Sequence, residues 1–130
     1  MKGALAATPM TLTAADLMNA GPELVRLTDQ FVFRFTKLQD TLRAQVLRQF
    51  ALLVLREPVE DVAFIDVLNL LEKRGFLGAA PWARQRSLRS ALTHEYPDDP
   101  ERQAALLAAA QAAAHELTDW LQRIAQRAGA

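Results

Sequence analysis

The sequence predicts an all-α fold, an antiparallel bundle of four to five helices built as one domain. Three observations carry that expectation. The chain is rich in Leu and Ala, 51% hydrophobic and only 7% aromatic, a composition that suits helices better than sheets. Apolar residues recur at three- and four-residue spacing over long stretches, which places them on one stripe of a helix. Proline and glycine separate those stretches, and a length of 130 residues suffices for a single core that buries roughly two-thirds of the unfolded surface.

The elements follow in order. Residues 1–20 read as an N-terminal arm, partly disordered or a short helix, and residues 21–130 as the bundle domain. Within the arm Thr13 is placed to cap a helix that Gly21 ends, and Pro22 then opens the next one. From there Leu24, Leu27, Phe31, Phe35, Leu38, Leu42 and Val46 form one stripe, with Val32 and Phe33 off it, so this helix needs more than one neighbour. Phe50 to Leu55 is apolar on all sides and stops before Pro58, and a break or kink falls near Arg43 to Arg48. Asp61 to Arg74 reads as a helix with Phe64, Ile65, Leu68 and Leu71 inward and Gly75 as terminator. Residues 76–80 read as a loop, Pro81 starts a helix running to His94, and Pro97 stops it. Asp98, Asp99 and Pro100 open the last helix, whose stripe is Leu107, Ala110, Ala114, Leu117, Leu121 and Ile124.

Charge and cysteine content narrow the function classes. The net charge is zero, so no global attraction to nucleic acid follows from it, and so neutral a protein tends to self-associate. The charge is arranged in blocks. Arg34, Lys37, Arg43, Arg48 and Arg56 stand against Asp40 alone, and Lys73, Arg74, Arg84, Arg86 and Arg89 run without an acid. These blocks are solvated helix faces or, for the one leading into His94, a face turned to an anion. The chain has no cysteine, which excludes disulfide and thiolate chemistry. The apolar runs are far shorter than the ~20 residues that span a bilayer, and the first residues lack a signal-peptide core. A cytoplasmic protein that does not enter the membrane is expected.

The chemistry concentrates in Arg89 to Pro97, which holds one of two histidines, the only tyrosine and an arginine five residues before that histidine. On a regular helix Arg89 and His94 lie about 140° apart, so the expectation is that the helix end frays before Pro97 and lets His94 swing towards the arginine. An imidazole titrates near neutrality and moves protons, while a guanidinium clamps phosphate. Together they form a minimal kit for metal-free cleavage of RNA, in which the 2′-hydroxyl attacks the adjacent phosphate, His94 handles protons and Arg89 stabilises the phosphoryl oxygens. DNA lacks that hydroxyl and is spared. One histidine does not easily serve as base and acid at once, so two copies of the chain are expected to meet. The bland readings are a histidine partnering a helix C-terminus and a tyrosine packing at a turn. His115 reads as solvent-facing, and Trp82 and Trp120 as core or interface anchors; two distant histidines without cysteine make a poor metal site.

The run Leu88-Arg89-Ser90-Ala91-Leu92-Thr93-His94-Glu95-Tyr96-Pro97 resembles the signature of HEPN domains, specifically the HepT-like branch: arginine, a polar residue, three more, histidine, any residue, tyrosine. The resemblance extends to Arg34-Phe35-Thr36-Lys37-Leu38-Gln39-Asp40, to Phe64-Ile65-Asp66-Val67-Leu68-Asn69, and to Glu72-Lys73 before Gly75, so it covers residues 24–124. It implies a helical bundle that forms a homodimer with one composite, metal-independent endoribonuclease site, without a cofactor. It implies a toxin of a type II/VII-like toxin–antitoxin pair that cuts tRNA or mRNA. Its partner would be a small nucleotidyltransferase of the MNT type, which neutralises it by transferring AMP to the motif tyrosine, here Tyr96. The implied roles are catalysis for Arg89 and His94, orientation for Ser90, and RNA contacts for Arg84 and Arg86. One position departs from the pattern: the residue after the motif arginine is most often Asn or Asp in this family and is Ser90 here. The alternative is a non-catalytic, nucleotide- or substrate-binding subunit that binds the nucleotidyltransferase.

Overall fold

The structure, a computed structural model, describes residues 12–94 and 98–129. Among these residues it is all-helical, and it forms a helical bundle. Helix α1 is Ala14–Met18, and it opens as the sequence requires: Thr13 Oγ1 accepts from the Asp16 backbone N–H at 3.1 Å while the Asp16 carboxylate accepts from the Thr13 N–H at 2.9 Å. This reciprocal capping box satisfies two N–H groups that a helix start otherwise leaves open. The helix ends earlier than expected. Gly21 is not its terminator but the N-cap of α2, with Pro22 at the first helical position.

Helix α2 starts as Pro22–Thr41 and continues through a π-helical turn Leu42–Val46, one α turn Leu47–Gln49 and a second π turn Phe50–Val54. No sharp break occurs in the region where a kink was expected; the backbone there widens instead. The consequence is a shift in which residues face inward. Leu47 N–H bonds to the Leu42 carbonyl and Leu55 N–H to that of Phe50, and a π turn brings residues five apart onto one face. Leu42 with Leu47, and Phe50 with Leu55, are therefore the buried pairs, and Val46 is only partly buried. Phe50 to Leu55, apolar on all sides, turns one of its side chains to solvent, Leu53 being 64% exposed. Near the start of α2 the Glu23 carboxyl is held below its ordinary range by the hydrogen bond and charge of Arg26. Arg56 ends the rod with a left-handed backbone, φ 59°.

A loop tied down by Arg48, whose Nη1 donates to the carbonyls of Val59 at 2.5 Å and Val62 at 2.8 Å, leads to α3, Phe64–Lys73. This helix starts three residues later than Asp61, where it was expected to begin. Val67, Leu68 and Leu71 are its buried residues, while Ile65, expected inward, is 50% exposed. Its end is a full Schellman closure, with Gly75 N–H to Glu72 O at 3.0 Å, Phe76 N–H to Leu71 O at 2.9 Å and Gly75 at φ +83°. Helix α4, Ala79–Leu92, begins at Gly78 as N-cap, so residues 79 and 80 are helical and Pro81 sits inside the first turn, where its missing N–H costs nothing. Helix α5, Pro100–Arg127, is capped by Asp99, whose carboxylate accepts from Arg102 N–H at 3.1 Å.

The core forms where these rods meet. Helix α5 packs against α1, α2 and α4, and α3 packs against α4 and the lower part of α2. Ala110 and Ala114 on α5 are fully buried, and their small side chains let the neighbouring rods come close. Trp82 of α4 and Trp120 of α5 lie 6.5 Å apart between ring centroids, and Phe64 of α3 stands edge-on to Trp82 at 5.5 Å. Both tryptophans are thus core anchors, and His115 is exposed as expected. Among the described residues no helix is long and apolar enough to cross a membrane.

Candidate functional site

The last turn of α4 carries the motif. Thr93 N–H bonds to the carbonyls of both Arg89 and Ser90 at 3.2 Å, the Thr93 hydroxyl donates to the Ser90 carbonyl at 2.7 Å, and His94 N–H reaches Ala91 O at 3.3 Å. The helix therefore tightens into i→i+3 bonding at its end, as helix termini do to satisfy carbonyls left without partners. This is the irregularity expected before Pro97, and the ion-pair partner of Arg89 lies on another helix.

Arg89 turns instead to Asp40 of α2. Nη1 bonds to Asp40 Oδ1 and Nη2 to Oδ2 at 3.3 Å, a two-point grip across the α2–α4 contact. Such a fork fixes the plane of the guanidinium as well as its position. It rests on a buried base. Gln39, next to Asp40, is 1% exposed and Gln85, one turn before Arg89, is 2% exposed. Gln39 Nε2 donates to Gln85 O at 2.9 Å and to Gln85 Oε1 at 3.2 Å, while Gln85 Nε2 donates to Ala113 O at 3.0 Å and Glu116 Oε1 at 2.8 Å. Three helices are thus joined by polar contacts directly beneath the ion pair.

His94 faces a different feature. It lines a groove of about 580 Å³ together with Leu24, Val32, Phe33, Leu92 and Leu107, and neither Asp40 nor Arg89 belongs to that lining. The groove is largely apolar, and Phe33 and Val25 on its wall are 68% and 47% exposed. Ser90, Arg84 and Arg86 are exposed on α4. Tyr96, assigned to modification, lies outside the described residues.

The residue that motif reasoning passed over is Asp40. It stood in the sequence as the lone acid within the basic block from Arg34 to Arg56 and as the end of the Arg34-to-Asp40 run of the resemblance, with no role given to it; a partner 49 positions away leaves no local signal. As a chemical unit, the site offers an oriented guanidinium on one side of the α4 end and an exposed imidazole on the other. Comparison with protein-family models, with curated proteins and with solved structures returns no match for this chain.

Proposed function

We propose that the chain is a metal-independent endoribonuclease of the HepT-like HEPN type, acting as the toxin of a pair with a nucleotidyltransferase antitoxin. The observation that carries the reading is the run from Arg89 to His94 that closes α4, where a clamped arginine and an exposed histidine supply a phosphate ligand and a proton carrier five positions apart. Arg89 pairs with Asp40 while His94 lines the apolar groove, and one histidine does not easily serve as base and acid at once, which suits a site completed by a second copy.

In the proposed reaction the 2′-oxygen attacks the neighbouring phosphorus. His94 of one copy takes the hydroxyl proton, and His94 of the other gives a proton to the departing 5′-oxygen. The P–O5′ bond breaks, leaving a 2′,3′-cyclic phosphate and a 5′-hydroxyl. Arg89 meets the charge that builds on the non-bridging oxygens, and Arg84 and Arg86 extend the cationic face along the RNA strand. Neutralisation follows when the antitoxin directs the Tyr96 hydroxyl onto the α-phosphate of ATP, releasing pyrophosphate; the phosphate charge added to the motif then repels RNA.

A second reading is favoured by two observations: the Arg89 charge is already matched by Asp40, and position 90 is serine. In it the chain is a non-catalytic subunit that binds the nucleotidyltransferase. Growth arrest on expression, and cleavage of RNA in the presence of EDTA, separate the two. The nuclease reading expects both for the natural chain and neither for His94→Ala. Equal cleavage by the two proteins overturns it, and a stable complex with the nucleotidyltransferase without toxicity establishes the second.

A further inference from the structure

We propose that Asp40 is the positioning residue for Arg89: it orients the guanidinium for phosphate by holding it from a second helix. The inference rests on the nuclease reading for the identity of the phosphate, but its geometric part does not. Asp40 grips Arg89 end-on, through Nη1 and Nη2. A guanidinium has five N–H donors, so the side-on edge formed by Nε and the remaining Nη hydrogens is left for a phosphate. The pair is accessible from solvent, with 28% of the Arg89 side-chain surface and 51% of that of Asp40 exposed. A strand of RNA can therefore reach it without unfolding anything.

The grip is built rather than incidental. A surface ion pair between two long flexible chains wanders, whereas here the residue before Asp40 and the residue one turn before Arg89 are locked to each other inside the bundle. Asp40 is also the short member of the acidic pair of residue types, and it reaches from the last regular turn of α2, immediately before the widened turn at Leu42–Val46. The carboxylate thus fixes a plane that α4 alone would leave free. It also cancels the Arg89 charge in the resting protein, so the ground-state affinity for phosphate is held down while the orientation needed in the transition state is kept.

The two effects move in opposite directions when the charge is removed, which a purely structural role does not do. The test uses the full chain as natural protein, Asp40→Asn, Asp40→Glu, and Asp40→Asn combined with Arg89→Ala. Binding is read with a fully 2′-O-methylated RNA oligonucleotide, which cannot be cut, over a range of salt. Cleavage is read with the unmodified oligonucleotide in single turnover. For Asp40→Asn the expected result is about threefold tighter binding, a salt slope steeper by roughly 0.7 as one more cation is counted, and about tenfold slower cleavage. Asp40→Glu should recover most of the rate, and the thermal midpoint should not move. Unchanged binding in Asp40→Asn overturns the proposal, as does a loss of rate that accompanies a lowered thermal midpoint and is not recovered by Asp40→Glu. If the natural protein binds but does not cut, the nuclease reading falls while the binding arm still decides: tightening in Asp40→Asn that vanishes in the double variant supports Asp40 as the controller of Arg89. Failure of every variant to bind the oligonucleotide overturns both.

Discussion

Gln39 donates one amide nitrogen to both the backbone and the side-chain carbonyl of Gln85, at 2.9 and 3.2 Å, inside the contact between α2 and α4. A backbone carbonyl only accepts, so this contact fixes which end of the Gln39 amide is nitrogen. Gln85 passes the chain on to α5 through Ala113 O and Glu116. Both amide nitrogens have partners, while Gln39 Oε1 is buried without one, and the network specifies one register between the three rods where apolar contacts alone would permit several.

That arrangement predicts strong coupling. Gln85→Leu leaves the Gln39 amide its bond to the residue-85 backbone carbonyl but removes its bond to Oε1 and takes the side-chain donor from Glu116 and the Ala113 carbonyl, while Gln39→Leu leaves Gln85 Oε1 buried without its donor, so each single change should cost about 1–2 kcal/mol. The double variant removes both partners of the side-chain bond between Gln39 Nε2 and Gln85 Oε1. It should cost well under the sum of the singles, with a coupling of about 1 kcal/mol or more. Urea denaturation of the four proteins measures this directly, and strictly additive losses would show that the bonds contribute little.

Arg56 closes the long α2 rod in the left-handed region at φ 59°, with Glu57 N–H returning to Ala51 O at 3.0 Å. A side chain there brings its Cβ against the following carbonyl, at a cost of roughly 1 kcal/mol. Arg56 is exposed, so Arg56→Gly should raise stability by about 0.5–1 kcal/mol, the strain relief being partly offset by greater freedom of the unfolded chain. The midpoint of chemical unfolding is the readout, and a lowered midpoint would mean that the arginine side chain contributes more than its backbone costs.

These residues also mark where the fold was legible in the sequence. Thr13, Pro22, Gly75 and Asp99 acted where they were expected to act, because caps and terminators work through bonds to residues a few positions away. The apolar stripes located the core, with Phe31, Phe35, Leu117 and Ile124 buried. What could not be read was set by contacts distant in sequence. Whether Val46 or Leu47 faces inward depends on a π turn, and neither side chain announces one. Ile65 and Val67 exchange places because α3 is rotated by what it packs on, not by its own composition. Of the motif, its position at the end of α4 was legible and its geometry was not: Arg89 follows Asp40, and His94 follows the groove beside α2.

The π turn at Leu42–Val46 makes a further prediction, since such a turn is in effect one residue added to an α-helix. Ala44 is exposed within it. Deleting Ala44 leaves Leu42 and Leu47 four apart, the spacing at which an ordinary α turn places both on one face, so everything after the deletion keeps its orientation. Deleting the exposed Ala112 from α5, which has no such turn, rotates the rest of that helix by about 100° and drives Leu117, Trp120 and Ile124 out of the core. The first deletion should retain helical circular dichroism and a cooperative urea transition, at a loss of about 1–3 kcal/mol. The second should abolish the transition. Equal damage from the two would mean that the widened turn is held by its own contacts and is not a removable insertion in the helix.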